Sequence, residues 1–168
     1  MLSILVHTLR IANWLNWAMA ALFTLLLALL LVEPGLFKES FRNALGVQGA
    51  DEVVFTWLKW TCAMVIPIAY AVHLILTRLA AMIRDTQRGE GFSETNAQRL
   101  SVIAWALLAI NVADLAFGQL SIWASKESGE YFGWSLSLTG WFAVPLLFVL
   151  ARLLREGAQM RDDLEGTV

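Results

Sequence analysis

The chain has 168 residues, 58% hydrophobic and 15% charged, with a net charge of −2. A water-soluble domain carries about 25% charged residues, so this composition excludes an ordinary soluble fold, and the missing basic surplus excludes direct nucleic-acid binding. Cys62 stands alone in an apolar run, which excludes an intrachain disulfide framework and a cysteine-rich zinc site and leaves an inert buried thiol.

A helix that crosses the ~30 Å hydrocarbon layer needs about 20 mainly apolar residues. The first segment to qualify, about Ile11 to Val32, contains no charge. Pro34 and Gly35 stop it, since proline cannot extend the hydrogen-bond ladder. Its length, and the lack of a small-x-small cleavage pattern in "LVEPGLF", mark a retained span rather than a signal peptide. The connection 33–52 follows. Phe37, Phe41 and Leu45 recur there every four residues, predicting a short amphipathic helix ended by Gly46, either on the outer leaflet or capping the bundle mouth.

The second span covers about Val53 to Thr77. "RLAAMIRDTQRGEGF" predicts its extension for about two turns beyond the bilayer, broken at Gly89 and Gly91. Ser93 or Thr95 then caps the third span, about Ala97 to Trp123. Thr95 and Gln98 have capping-box spacing, and Glu94 suits the positive end of a helix dipole. Ala106, Ala109, Ala113 and Ala116 step along this span by three and four. Such a seam allows close helix approach in lipid, inside the monomer or between protomers of a homo-oligomer. The fourth span covers about Tyr131 to Ala151, and the tail 152–168 continues it helically with charges of alternating sign.

The expected fold is therefore all-α: one polytopic domain, 1–168, with four transmembrane helices. Four crossings place both termini on one side. That side holds Arg10, Arg78, Arg84, Arg88, Arg99, Arg152, Arg155 and Arg161, against Lys38, Arg42, Lys59 and Lys126 on the other. Eight against four puts the termini, the loop 78–96 and the tail in the cytoplasm of a bacterial inner membrane. Trp14 and Trp17 at the inner limit, and Trp57, Trp60, Trp123 and Trp134 at the outer one, suit the headgroup level.

Asp114 is the one acid well inside a span, with Asn111 and Gly118 on the same helix face. A charge there costs roughly 2.5–3.5 kcal/mol on insertion scales. Two readings stand: a proton-titrating or cation-binding site in a small transport or ligand-sensing bundle, or a protonated carboxyl that joins helices. Counting turns places Asp114 level with Thr139 to Trp141, where Pro145 frees the Trp141 carbonyl to accept. His73 forms a polar stripe with Tyr70 and Thr77, at the depth of Asn13 and Asn16. A haem between helices needs a facing axial pair, and His7 lies outside span one. No cofactor is expected, and haem through His73 lacks a matching partner. His73 reads as a hydrogen-bonded structural residue, with redox or pH sensing as the alternative. Asp85, Glu90 and Glu94 sit in a solvated turn without metal-ligand spacing. No P-loop, nucleophile elbow, HExxH or dinucleotide fingerprint occurs, so the chain reads as non-enzymatic.

Two stretches carry a family resemblance. "GEGFSETNAQRL" resembles the glycine–proline–phenylalanine, asparagine, arginine–leucine pattern of a bacterial family, the domain of unknown function 2975. "LREGAQMRDDLEGTV" is similar to its C-terminal arginine–glutamate–glycine–alanine run, followed by acids and a final threonine–valine. The matching positions are Gly89, Phe92, Asn96, Arg99 and Leu100, then Arg155, Glu156, Gly157, Ala158, Thr167 and Val168. Gly91 replaces the usual proline, and Gly166 is an extra residue before the last two. The resemblance implies a small four-helix inner-membrane protein, often encoded beside a helix-turn-helix regulator, and no activity. It implies a partner-docking face that includes Gly89, Phe92, Asn96, Arg99, Arg155 and Glu156.

Overall fold

The computed structural model describes residues 2–35 and 51–165. Its secondary structure consists of helices α1 (Leu2–Val32), α2 (Asp51–Gln87), α3 (Glu94–Ser128) and α4 (Leu138–Glu165). All four are long and apolar enough to cross a membrane. At 1.5 Å per residue the 37 residues of α2 reach about 55 Å, so a helix of this length extends well past a ~30 Å hydrocarbon layer. The amphipathic helix expected over Phe37 to Leu45 lies outside the described residues, as do Thr167 and Val168.

Within the helices, hydroxyl groups turn back onto the backbone. Thr24 donates to the Ala20 carbonyl at 2.7 Å, Thr61 to Trp57 at 2.8 Å, and Ser101 to Ala97 at 3.1 Å. In lipid this satisfies donors that have no water to bond. Pro67 and Pro145 lie inside α2 and α4, and both helices continue through them.

The chain divides into two compact units. One comprises Met1–Asn16, Tyr70–Asn111 and Ser137–Val168; the other comprises Trp17–Ala69 and Val112–Leu136. In the second, Leu30, Phe55 and Cys62 are buried together, with Phe23, Leu26, Leu27 and Leu58 packed on them. Trp57 adds a polar anchor, donating from Nε1 to Ser121 Oγ at 3.2 Å, with its ring 4.7 Å from that of Phe132.

Burial is inverted relative to a soluble protein. Of the fifteen buried hydrophobic residues among those described, nine are alanines, whereas Trp14, Val32 and Phe142 are each more than 70% exposed. Lipid solvates large apolar side chains as well as a core would, so helices associate through small residues that let backbones approach. The expected seam of α3 is buried only in part: Ala106 is buried and Ala113 half-buried, whereas Ala109 and Ala116 are exposed, and Ala97, Ala104, Asn111 and Gly118, seven residues apart, are buried as well. Both sets of positions repeat every seven residues, so spacing alone does not select the buried face.

The fourth span also begins later than expected. Tyr131–Ser137 lie outside any helix. Gly129, with φ of 73°, ends α3 in the left-handed region. The hydroxyl of Ser128 then accepts from Glu130 N at 3.2 Å, and that of Ser125 from Phe132 N at 3.0 Å. The segment is thereby tied back to α3, with the Phe132 ring against Trp57 and the Trp134 ring over Gly118.

Candidate functional site

The turn between α2 and α3 is built from its own residues. Gly89 has φ of 80°. Its N–H donates to the Thr86 carbonyl at 3.2 Å, and the Glu90 N–H reaches the Asp85 carbonyl at 2.9 Å. These bonds form a Schellman motif that satisfies the last carbonyls of α2. Gly91 has no positive φ, so Gly89 alone needs glycine's conformational freedom here. At the start of α3 the cap is Ser93, not Thr95: Ser93 Oγ accepts from Asn96 N at 3.3 Å. Gln98 reaches back only to Glu94, at 3.3 Å.

Asn96 is the staple. It is 1% exposed, and its Nδ2 donates to the carbonyls of Glu90 at 3.1 Å and Gly91 at 3.2 Å. Its Oδ1 accepts from Arg99 Nη1 at 2.7 Å. Arg99 also forms an ion pair with Asp85, which joins the end of α2 to the start of α3. The family's asparagine and arginine thus close the turn.

Helix α4 lies against this turn. Arg155 Nε donates to both carboxylate oxygens of Glu94, at 3.0 and 3.2 Å. Arg161 Nη1 donates to the Gly89 carbonyl at 3.2 Å. A Cβ at Gly157 would come within 3.3 Å of the Phe92 ring, so the glycine makes room for it. The two signature stretches therefore meet around a cleft of about 430 Å³, walled by Asp85, Glu90, Phe92, Arg99, Ala158 and Arg161. Phe92 remains 63% exposed.

Of the expected docking residues, Gly89, Phe92, Asn96, Arg99 and Arg155 come together. Glu156 instead pairs along the exposed face of α4 with Arg152, at 2.9 Å. Sequence reasoning had not singled out Asp85, Ser93 or Arg161 as parts of this site. The acid–base pair that flanks the glycine turn was the available signal for Asp85. Arg161 could not be placed before the path of α4 was known.

The intramembrane polar residues are each placed differently. His73 donates from Nδ1 to Asn13 Oδ1 at 2.8 Å, which matches the expected depth. Thr77 turns back to the His73 carbonyl at 2.7 Å. Tyr70 is 56% exposed, and His7 bonds locally to the Ser3 carbonyl at 2.8 Å. Asp114 Oδ1 accepts a long 3.4 Å bond from Trp134 Nε1. The indole can reach it because Gly118 has no side chain: a Cβ there would overlap the Trp134 ring. Asn111 is buried, with its side-chain oxygen where a Cβ of Gly140 would sit. Its Nδ2 has no partner among the described residues.

Four spanning helices, small buried residues and lipid-ready outer faces define a multi-pass, all-α membrane protein. Within that class the chain belongs to the family of proteins of unknown function DUF2975, whose family model matches residues 9–168. Neither a curated protein nor a solved structure matches it.

Proposed function

We propose that the chain is a non-enzymatic bacterial inner-membrane protein that keeps both termini in the cytoplasm and docks a soluble partner there. The docking face comprises residues 78–100 and the tail 152–168. A helix-turn-helix regulator is the partner that the family resemblance suggests. The arginine bias supports this orientation. The observation that carries the reading is the cleft itself: both signature stretches contribute to one polar surface, with Phe92 left largely exposed beside the Glu90 and Arg161 charges. An exposed aromatic rimmed by charges suits a protein contact.

The test uses tagged protein extracted from membranes, intact, lacking 152–168, or carrying Arg155→Glu, which sets like charge against Glu94. The reading expects the regulator encoded beside the gene to co-purify with the intact chain, and expects both altered forms to lose it. Recovery of no soluble partner with any form overturns it.

One observation favours a second reading. The unpartnered Asn111 amide, on the α3 face that also bears Asp114, suits a small transport or ligand-sensing function. Asp114→Asn then changes proton or solute flux, or ligand binding, while the fold persists. A change in thermal stability alone would make the residue structural.

A further inference from the structure

We propose that the protein holds the phosphate of an anionic phospholipid between Arg10 of α1 and Arg84 of α2. The two side chains line one cavity of about 210 Å³. Asn13 and Thr77 add polar groups to its lining, and Val6, Leu9, Leu76 and Ala80 add apolar surface. No carboxylate lines it. Neither arginine has an ion pair or a side-chain hydrogen bond among the described residues, whereas Arg99, Arg152 and Arg155 are each paired with an acid. The acid next to Arg84 in sequence, Asp85, is engaged by Arg99. Two uncompensated guanidinium groups therefore face a shared, partly apolar space.

Their approach follows from helix geometry. Asn13 meets His73, and the cavity is lined by residues that precede 13 and follow 73, so these two segments run antiparallel. In a helix each Cα–Cβ bond tilts toward the N-terminus. Arg10 and Arg84, on oppositely directed helices and separated along the cavity, therefore lean toward each other. Arg10 immediately precedes the uncharged run 11–32, and Arg84 follows the second apolar run by seven residues. Both lie where guanidinium groups reach the headgroup layer while their stems cover apolar surface.

A planar guanidinium binds phosphate through two parallel N–H donors, and basic pockets between spanning helices suit anionic headgroups. A lipid phosphate fits better than a free one, because Val6, Leu9, Leu76 and Ala80 offer contacts that only a lipid's apolar part would use. Ala80 and Arg84 also belong to the docking segment 78–100, but Arg10 and the rest of the α1 lining lie outside the docking face, so loss of lipid in Arg10→Gln tests this inference apart from the docking proposal.

The experiment uses the full-length protein in a neutral detergent, titrated with dioleoylphosphatidylglycerol and, separately, with dioleoylphosphatidylcholine. Bound lipids are counted by native mass spectrometry. The expected result is preferential retention of phosphatidylglycerol. Its apparent affinity falls about fivefold in Arg10→Gln or Arg84→Gln and about 30-fold in the double variant, from ~1 kcal/mol per arginine near an anionic surface. Arg78→Gln, at an exposed arginine outside the cavity, leaves binding unchanged, and the double lysine variant, which keeps both charges, retains the preference. Equal retention of the two lipids, wild-type binding by the double glutamine variant, or an equal loss in Arg78→Gln overturns the proposal. So does displacement of the lipid by inorganic phosphate at millimolar concentration, which would make this a free-anion site.

Discussion

Residues 89 and 91 are both glycine, two positions apart in one turn, yet they carry different physical demands. Gly89 adopts a φ of 80°, a region where a Cβ collides with the following carbonyl. Gly89→Ala therefore costs about 1–2 kcal/mol and lowers the thermal midpoint measured in detergent. Gly91 lies outside that region, and a Cβ there meets Thr86 at an ordinary 3.4 Å. Gly91→Ala leaves stability unchanged or raises it by about 0.4–1 kcal/mol, by restricting the unfolded chain. Asn96→Ala removes the donors to Glu90 and Gly91 and one acceptor of Arg99. Its expected cost is about 1–3 kcal/mol, and faster amide exchange over residues 89–96 would locate the damage in the turn. The glycines and the asparagine were legible as a turn and helix start from residue type alone. Which glycine needed the left-handed conformation was not, because that depends on where α2 places its last carbonyl.

At the scale of elements, apolar runs fix the helices well and their ends less well. The segment "YFGWSLS" reads as greasy enough to belong to the fourth span, yet it lies outside any helix. What decides its conformation is the Ser125 hydroxyl, which holds the Phe132 amide across seven positions. Composition windows cannot register such a tie. The small-residue face of α3 was legible only in part, for a related reason. Two faces of that helix are rich in alanine, and only the neighbouring helices determine which is buried. Gly118 belongs to the buried one because the Trp134 indole lies over it. Gly118→Ala therefore displaces that ring and costs about 1–3 kcal/mol by overpacking. Asp114→Asn retains an oxygen acceptor for the same indole and costs less than about 1 kcal/mol, since the 3.4 Å bond is long. Thermal denaturation followed by tryptophan fluorescence separates the two variants. A larger loss in Asp114→Asn would mean that the carboxyl makes a contact beyond Trp134.

For the whole molecule, the four-span architecture was legible because oil solubility over about 20 residues is a property of composition and needs no tertiary information. The juxtaposition of the signatures was not. Residues 89–100 and 154–168 are far apart in sequence, and Arg155 finds Glu94 across 61 positions. The proposed orientation makes a direct prediction. In a Cys62→Ser background, single cysteines at Glu90 or Met160 remain unlabelled by a membrane-impermeant maleimide in intact cells and react once the membrane is opened. Labelling from outside would invert the proposed docking face.

The clasp joining α2 to α3 draws every partner it needs from residues 85 to 99. A connection that closes with its own atoms requires no later-synthesised segment to be in place. During biogenesis the two central helices can therefore leave the translocon together as a finished hairpin. Helix α4, synthesised after them, then meets a surface already formed to receive it.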